Sequence, residues 1–266
     1  NGSVRGSVKI HAMGNIYIGG YVEDADIWSG QDIIIQDGVN AGENGRIEAM
    51  GNISARFFEN AHIISHSDIK CDYMLNTTAL AYGGIYLEGK RGSVIGGDVT
   101  GVRGICIKAC GSESYSKTVL RVGVTKEISS EYAKVLMVLK DIDTQIDRFN
   151  QALQKLDILK KAGSDKFDET LNRKLLQSKI VKTAEKAKYE EKSRNLYTLV
   201  RESDRAVVRI DKNIYPGSRV FMGDKTYVPS TVFTHIALKK TSQGVLIRNY
   251  DSMSVSYTHL TLPTIR

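Results

Sequence analysis

A Gly or Ser, up to two small residues and then an Ile recur through the N-terminal part of the chain. The copies are Gly14-Asn15-Ile16, Gly30-Gln31-Asp32-Ile33, Gly51-Asn52-Ile53, Ser67-Asp68-Ile69, Gly83-Gly84-Ile85 and Gly104-Ile105. The Ile residues are 17, 20, 16, 16 and 20 positions apart. A second apolar column lies six residues upstream of each later Ile, at Ile27, Ile47, Ile63, Ala79 and Val99. Repeats of this length stack as rungs of a solenoid, because one rung cannot bury its own apolar face whereas a stack can. Runs such as Ile16-Tyr17-Ile18 and Ile33-Ile34-Ile35 have strand character. Gly19-Gly20, Asp37-Gly38, Gly83-Gly84 and Gly96-Gly97 supply turn residues that tolerate positive φ. Strands follow one another with no helix between them, so residues 1–125 are predicted to form a parallel β-helix, right-handed by the crossover rule. That architecture excludes most enzyme folds and points to a scaffold.

Near residue 126 Gly disappears and a heptad begins. Tyr132, Val135, Leu139, Ile142, Ile146, Phe149, Leu153 and Leu156 are spaced alternately three and four apart, a coiled-coil seam. Ser129 is the expected N-cap. Gly163-Ser164-Asp165 breaks the helix, with Asp165 placed to cap a second helix running to about Asp204. Leu171, Leu175, Ile180, Ala184, Ala187, Leu196 and Leu199 are its expected inward positions. So short a link forces the helices antiparallel, which predicts a mainly β solenoid interrupted by a long antiparallel α-helical coiled-coil hairpin at 126–205. The two bases of that insertion, near Thr125 and Arg205, are expected to lie close together. β signals return in 206–254. Val207-Val208-Arg209-Ile210 is β-branched but alternates poorly. Ile214-Tyr215-Pro216-Gly217 reads as a turn, Ser218 to Met222 as a strand, and Gly223-Asp224-Lys225 and Ser242-Gln243-Gly244 as hairpin turns. These strands are expected to rejoin and cap the solenoid.

Twenty-four Gly against three Pro suits many tight strand turns, and a formal net charge of +7 permits an acidic partner without requiring one. The three cysteines, Cys71, Cys106 and Cys110, fit neither a disulfide framework nor a zinc site and read as buried thiols of a reducing compartment. No apolar run approaches the roughly 20 residues that cross a bilayer. Residues 255–266 resemble a translated library adapter, so that His259 and Pro263 carry no meaning. The chain is expected to be an internal piece of a longer protein.

Candidate chemistry is sparse. Asn15, Asp32, Asn52 and Asp68 each directly precede a column Ile and should form one ladder. A cation or sugar site competes there with a turn ladder that satisfies backbone groups, and the turn ladder is preferred because an Asn rung separates the two Asp. Of Asp24, Asp26, Asp32 and Asp37, Asp24 and Asp26 could share a face but the others fall on different turns, so paired-carboxylate catalysis is disfavoured. Gly92-Ser93-Val94-Ile95-Gly96-Gly97 lacks the Lys and helix of a phosphate loop and should turn a rung. His62 and His66 lie four apart but not on a helix, so a metal site there is disfavoured. The second helix carries eight Lys or Arg between 173 and 194 against three Glu. Nucleic acid is disfavoured because only Tyr189 is available for stacking, while weak contact with an anionic membrane stays open. No catalytic residue, cofactor site or metal site is assigned.

Three stretches together resemble a known family: Gly51-Asn52-Ile53-Ser54-Ala55-Arg56-Phe57-Phe58-Glu59-Asn60-Ala61, Glu88-Gly89-Lys90-Arg91-Gly92-Ser93-Val94-Ile95-Gly96-Gly97, and Ile214-Tyr215-Pro216-Gly217 after the hairpin. The combination, covering about residues 1–250, resembles the flagellar assembly protein A family. The resemblance implies a β-helix with a coiled-coil insertion in a bacterial cytoplasmic protein linked to flagellar or cell-surface biogenesis. Family members carry a separate N-terminal domain outside this sequence, and no established catalytic residues are there to transfer. The expected function is a non-enzymatic assembly factor that presents its helical rod to protein partners. The alternatives are a filament that polymerises through the β-helix ends and, further off, a carbohydrate-active β-helix enzyme. Deleting 255–266 should leave thermal stability unchanged, and a loss above about 1 kcal/mol would show these residues to be part of the fold.

Overall fold

The structure, a computed structural model, describes residues 2–42, 45–124, 126–163, 165–203 and 205–250. Thr125, Ser164, Asp204 and the 255–266 segment lie outside the described residues. The chain divides into two compact units. One comprises residues up to Gly123 together with those from Glu202 onward, and the other is Val124–Arg201.

The first unit is a parallel β-solenoid. Its early rungs hold β1 (Val8–Ala12), β2 (Ile16–Ile18), β3 (Val22–Glu23), β4 (Ala25–Ser29), β5 (Ile33–Ile35), β6 (Gly38–Asn40), β7 (Arg46–Ala49), β8 (Ile53–Ser54) and β9 (Phe57–Glu59). The middle rungs hold β10 (His62–Ser65), β11 (Ile69–Cys71), β12 (Tyr73–Ala81), β13 (Gly84–Leu87), β14 (Ser93–Gly101), β15 (Gly104–Cys110) and β16 (Thr118–Val122). After two helices come β17 (Val207–Ile214), β18 (Ser218–Met222), β19 (Lys225–Tyr227), β20 (Phe233–Lys240) and β21 (Val245–Asn249).

Both columns read from the sequence stack in register. Ile16, Ile33, Ile53, Ile69, Ile85 and Ile105 are successive partners, and Val208 extends them beyond the helices. The second column runs Ile10, Ile27, Ile47, Ile63, Ala79, Val99, Leu120, Val220. A third column, hidden in the sequence by its varied side chains, is Val4, Val22, Val39, Phe58, Met74, Val94, Cys110 and Ile214. Nearly all of these residues are buried, so three apolar ladders share one interior. Full burial of each Ile contributes about 1.5–3 kcal/mol. Rungs lengthen at corners: Val39 and Ile47 are eight residues apart, Ile85 and Val94 nine, and Cys110 and Leu120 ten, where the other rungs take five or six. The first two of these produce the two 20-residue intervals between the Ile residues.

The corner between the third and second columns needs a left-handed backbone in most rungs. Gly6, Asp24, Asn60, Asn76 and Gly96 stand two residues beyond Val4, Val22, Phe58, Met74 and Val94, with φ of 74°, 48°, 47°, 47° and 70°. Only Gly, Asn and Asp occupy these places, the residues that enter this region at least cost.

The second unit is the helical pair α1 (Lys126–Lys161) and α2 (Glu169–Ser203). Helices of 36 and 35 residues are each about 53 Å long at 1.5 Å per residue. They run antiparallel: Lys192 meets Glu131 at 2.7 Å, Lys186 meets Asp143 at 2.7 Å, and the rings of Tyr132 and Tyr197 lie 6.5 Å apart. All eight expected seam residues of α1 are buried or half-buried.

Several expectations for this region need correction. Ser129 is inside α1 and does not cap it, because the apolar periodicity extends a turn earlier to the buried Ile128. The link is longer than Gly163-Ser164-Asp165: Gly163, at φ 62°, follows the end of α1, and Asp168 caps α2 by accepting the Leu171 amide at 3.0 Å. On α2, Leu175 and Leu199 are half-buried and Leu196 is buried, but Leu171, Ile180, Ala184 and Ala187 are exposed. The packed stripe of α2 is Asn172, Leu175, Lys179, Lys182, Lys186, Tyr189, Ser193, Leu196 and Val200, as regular a heptad as that of α1 but largely polar. Lysine stems cover apolar surface while their ammonium groups reach carboxylates, which an apolar-only reading overlooks. In β17, Val208, Ile210 and Ile214 are buried while Val207 is only half-buried, so the strand does alternate.

β17 and β18 add to the parallel ladders, and the chain then reverses. β19 pairs antiparallel with β18, β20 antiparallel with β17, and β21 antiparallel with β20. Asp224, in the β18–β19 turn, takes Lys240 at 2.8 Å and Lys225 at 3.3 Å. Hydrogen bonds from Lys240 and then Lys225 hold its carboxyl down at about 2.

Ile53→Ala should cost about 2–5 kcal/mol in urea denaturation, while Ile34→Ala, on the outer face of β5, should stay within about 0.5 kcal/mol. Because the Asp224 pKa is lowered on folding, its contribution is complete above about pH 4 and lost as the pH falls toward about 2. Asp224→Asn should therefore lower stability slightly at pH 7, and the difference from the parent should vanish at acid pH.

Candidate functional site

The Asn and Asp residues that precede the column Ile residues form a continuous cross-rung ladder. Asn15 Oδ1 accepts the Asp32 amide at 3.0 Å, and Asp32 Oδ1 accepts the Asn52 amide at 2.6 Å. Asn52 Oδ1 then accepts the Asp68 amide at 3.2 Å, and Asp68 Oδ1 accepts the Gly84 amide at 2.7 Å. Each side chain thus holds the corner of the next rung rather than its own. This explains the Gly in the repeat: a Cβ at Gly51 or Gly83 would stand 2.1 Å from Oδ1 of Asp32 or Asp68. Beneath the ladder the buried Ser29 bridges the Gly14 and Asp32 carbonyls, and the buried Ser65 bridges those of Gly51 and Asp68. With one carboxylate oxygen committed on each Asp, the ladder is built to hold backbone.

The other candidates are dispersed. Asp24 stands at the left-handed corner and accepts from Ser7 at 3.1 Å. Asp26 faces outward between Lys9 and Arg46 in register, and Asp37 lies at the corner before β6. His62 faces outward on β10, whereas His66 stacks on Tyr82 at 4.9 Å and approaches Glu48 at 3.5 Å. Among the described residues no group of three or more His, Cys, Asp or Glu side chains could hold a metal ion. Ser93–Gly101 is strand β14, with Gly96 and Gly97 turning its corner at φ 70° and 82°.

The cysteines separate into two kinds. Cys71 and Cys110 are buried, and burial pushes the Cys71 thiol far up and that of Cys110 up to about 12. Cys106, expected to be buried, is half-exposed on the outer face of β15, its Sγ 3.6 Å from Tyr250 Oη. Burial, and then the neighbouring Cys106, push the Tyr250 hydroxyl upward. Arg209 lies over the Tyr250 ring at 5.6 Å, and His235 packs against that ring at 4.9 Å. His235 Nδ1 approaches Asp211 Oδ1 at 3.3 Å. No sequence spacing signals this cluster, since Cys106 and Tyr250 are 144 residues apart and it is the antiparallel return of β20 and then β21 that brings Tyr250 back.

Between the helices a groove of about 730 Å³ is lined by Glu131, Lys134, Val135, Val138, Tyr189 and Lys192, among others. Lys186 and Lys192 are held charged by the hydrogen bonds they donate to Asp143 and Glu131. Lys182 pairs with Glu185 and Arg173 with Glu169, both at 2.8 Å. Half of the basic run on α2 is therefore engaged in pairing within the hairpin. Tyr189 sits half-buried in the packed stripe.

Asp68→Asn keeps the accepting oxygen and should be near neutral, whereas Asp68→Ala should cost about 0.5–1.5 kcal/mol. Millimolar calcium should leave the parent Tm unchanged, and a calcium-dependent rise would assign a cation to the ladder. In the native protein at pH 8, Ellman's reagent should titrate one thiol per chain, and Cys106→Ser should abolish that reaction.

No curated protein and no solved structure matches the chain. Over residues 1–243 the chain matches the family described as Flagellar Assembly Protein A beta solenoid domain. That span takes in the stacked columns, the helical pair and the antiparallel strands β19 and β20. The chain belongs to this flagellar assembly (FapA) β-solenoid family.

Proposed function

We propose that this chain acts in flagellar assembly as a non-catalytic cytoplasmic scaffold, with its helical hairpin as the surface that a protein partner reads. The observation that carries this reading is the apolar surface left on the hairpin. Met137, Ile158 and Val181 are 74%, 66% and 60% exposed, interspersed with the exposed cations Lys174, Lys188 and Arg194. Apolar side chains left outward along a helical pair supply surface that a partner can cover. The solenoid suits the role of mount. It keeps its ladder register on both sides of the insertion, since β15 pairs with β17 and β16 with β18. A Cβ at Gly123 would lie 3.9 Å from that of Ser203, so the chain leaves and returns at adjoining points. Three free thiols fit a reducing compartment, and no helix among the described residues is long and apolar enough to cross a membrane.

The filament reading finds less support. Polymerisation through rung ends needs open parallel edges, and β19 and β20 run antiparallel along β18 and β17. A new rung would have to displace them.

Replacing 126–205 by a short Gly-Ser linker should leave the β spectrum in circular dichroism intact and abolish motility in a flagellated bacterium whose only copy carries the change. Motility retained with a folded β-region would refute the hairpin as the working surface. Collapse of the β spectrum would show the hairpin to be part of the core.

A further inference from the structure

α2 has two stripes, and the hairpin uses only one. The side turned away from α1 carries Leu176, Ile180, Ala184 and Ala187, all exposed, with Leu176 at 44% and Ile180 at 68%. At 100° per residue these four fall within about one quadrant, centred about 130–140° around the helix from the packed heptad. Arg173 and Glu191 lie on the same side at its two ends, both exposed. The stripe is large in its first half and small in its second, basic at its beginning and acidic at its end.

We propose that this stripe docks onto the same stripe of a second copy of the chain, antiparallel, about a two-fold axis level with residue 182. The order of residues is what selects a copy over an unrelated helix. Turning one α2 over about that point sets Ile180 of each copy against Ala184 of the other, a bulky side chain over a small one. Leu176 comes over Ala187 and the aliphatic stem of Lys188. Arg173 meets Glu191 of the other copy at both ends of the contact. An isologous contact needs this self-complementarity, and a heterologous partner would not. In the single chain Arg173 pairs with Glu169 at 2.8 Å across one helical turn, an exposed pair that exchanges at little cost. α2 carries nine Lys and Arg against five Glu over 169–203, a net charge that repels a second copy in every register and is offset at the two ends only where Arg173 meets Glu191. The contact runs about 27 Å from Arg173 to Glu191, less than a standard interface, so the dimer is concentration-dependent.

The test is sedimentation equilibrium of the full chain from about 1 to about 200 µM, with helix content followed by circular dichroism. The parent should show a monomer–dimer equilibrium. Arg173→Glu and Glu191→Arg should each weaken it by about tenfold or more, because each brings like charges together at both ends. An equimolar mixture of the two variants should dimerise at least as well as the parent, since opposite charges then meet at both ends. Ile180→Glu should leave a helical monomer. A parent that stays monomeric throughout would overturn the proposal, as would variants that dimerise undiminished or a mixture no tighter than its components. So would a monomeric parent that binds phosphatidylglycerol vesicles through Ile180, which would assign the stripe to a membrane.

Discussion

Every rung of this solenoid is held by the rung above and below it, at the roughly 4.8 Å separation of paired strands. That single spacing dictates the rest. A side chain on an inner column must fit against its equivalents, and six of the first column's seven positions are Ile. A polar side chain at a corner is presented, one rung on, with a backbone N–H that needs an acceptor. The Asn15–Asp32–Asn52–Asp68 ladder answers that need, and the glycines beside it make room for the accepting oxygens. Apolar columns and corner ladder are two results of one stacking constraint.

The same constraint decides where extra chain can enter. Residues within a column cannot be added without shifting every later contact, but a corner can lengthen freely. The loops at Ala41–Gly45 and Glu88–Gly92 are small cases, and the 123–206 insertion is the large one. It enters between Val122 of the second column's strand and Val208 of the first, the corner occupied in earlier rungs by the Asn and Asp ladder. The ladder has already ended there: the corresponding places are Gly84 and then Gly104. With no side chain to tie one corner to the next, the chain is free to depart for the helices and return in register.

How much of this was legible depended on whether the physical signal was periodic and chemically uniform. Two columns of Ile were readable because repetition of one residue type is conspicuous. The third was not, because Val, Phe, Met, Cys and Ile satisfy the same burial with different shapes. α1 was readable for the same reason as the Ile columns. α2 was misread because its packed stripe obeys the heptad with Lys, Tyr, Ser and Asn, while its most apolar residues repeat on the other side. The exposure of Cys106 and its approach to Tyr250 arise from antiparallel strands that return across the solenoid, a long-range arrangement with no local mark.

That misreading carries physical content. A helix selected only to close a two-helix hairpin would place Leu176, Ile180, Ala184 and Ala187 inward and its lysines outward, since apolar burial is the cheaper way to hold two helices together. α2 does the reverse over its middle turns, holding Lys182 and Lys186 half-buried in the seam. Lys186 is fixed there by Asp143 at 2.7 Å. Ion pairs at the seam add orientation more than stability, so the hairpin gives up packing energy that the sequence had available. Such an arrangement is sustained where the apolar side has other work, and an outward stripe whose order is self-complementary defines what that work requires: a second helix of matching shape, presented antiparallel.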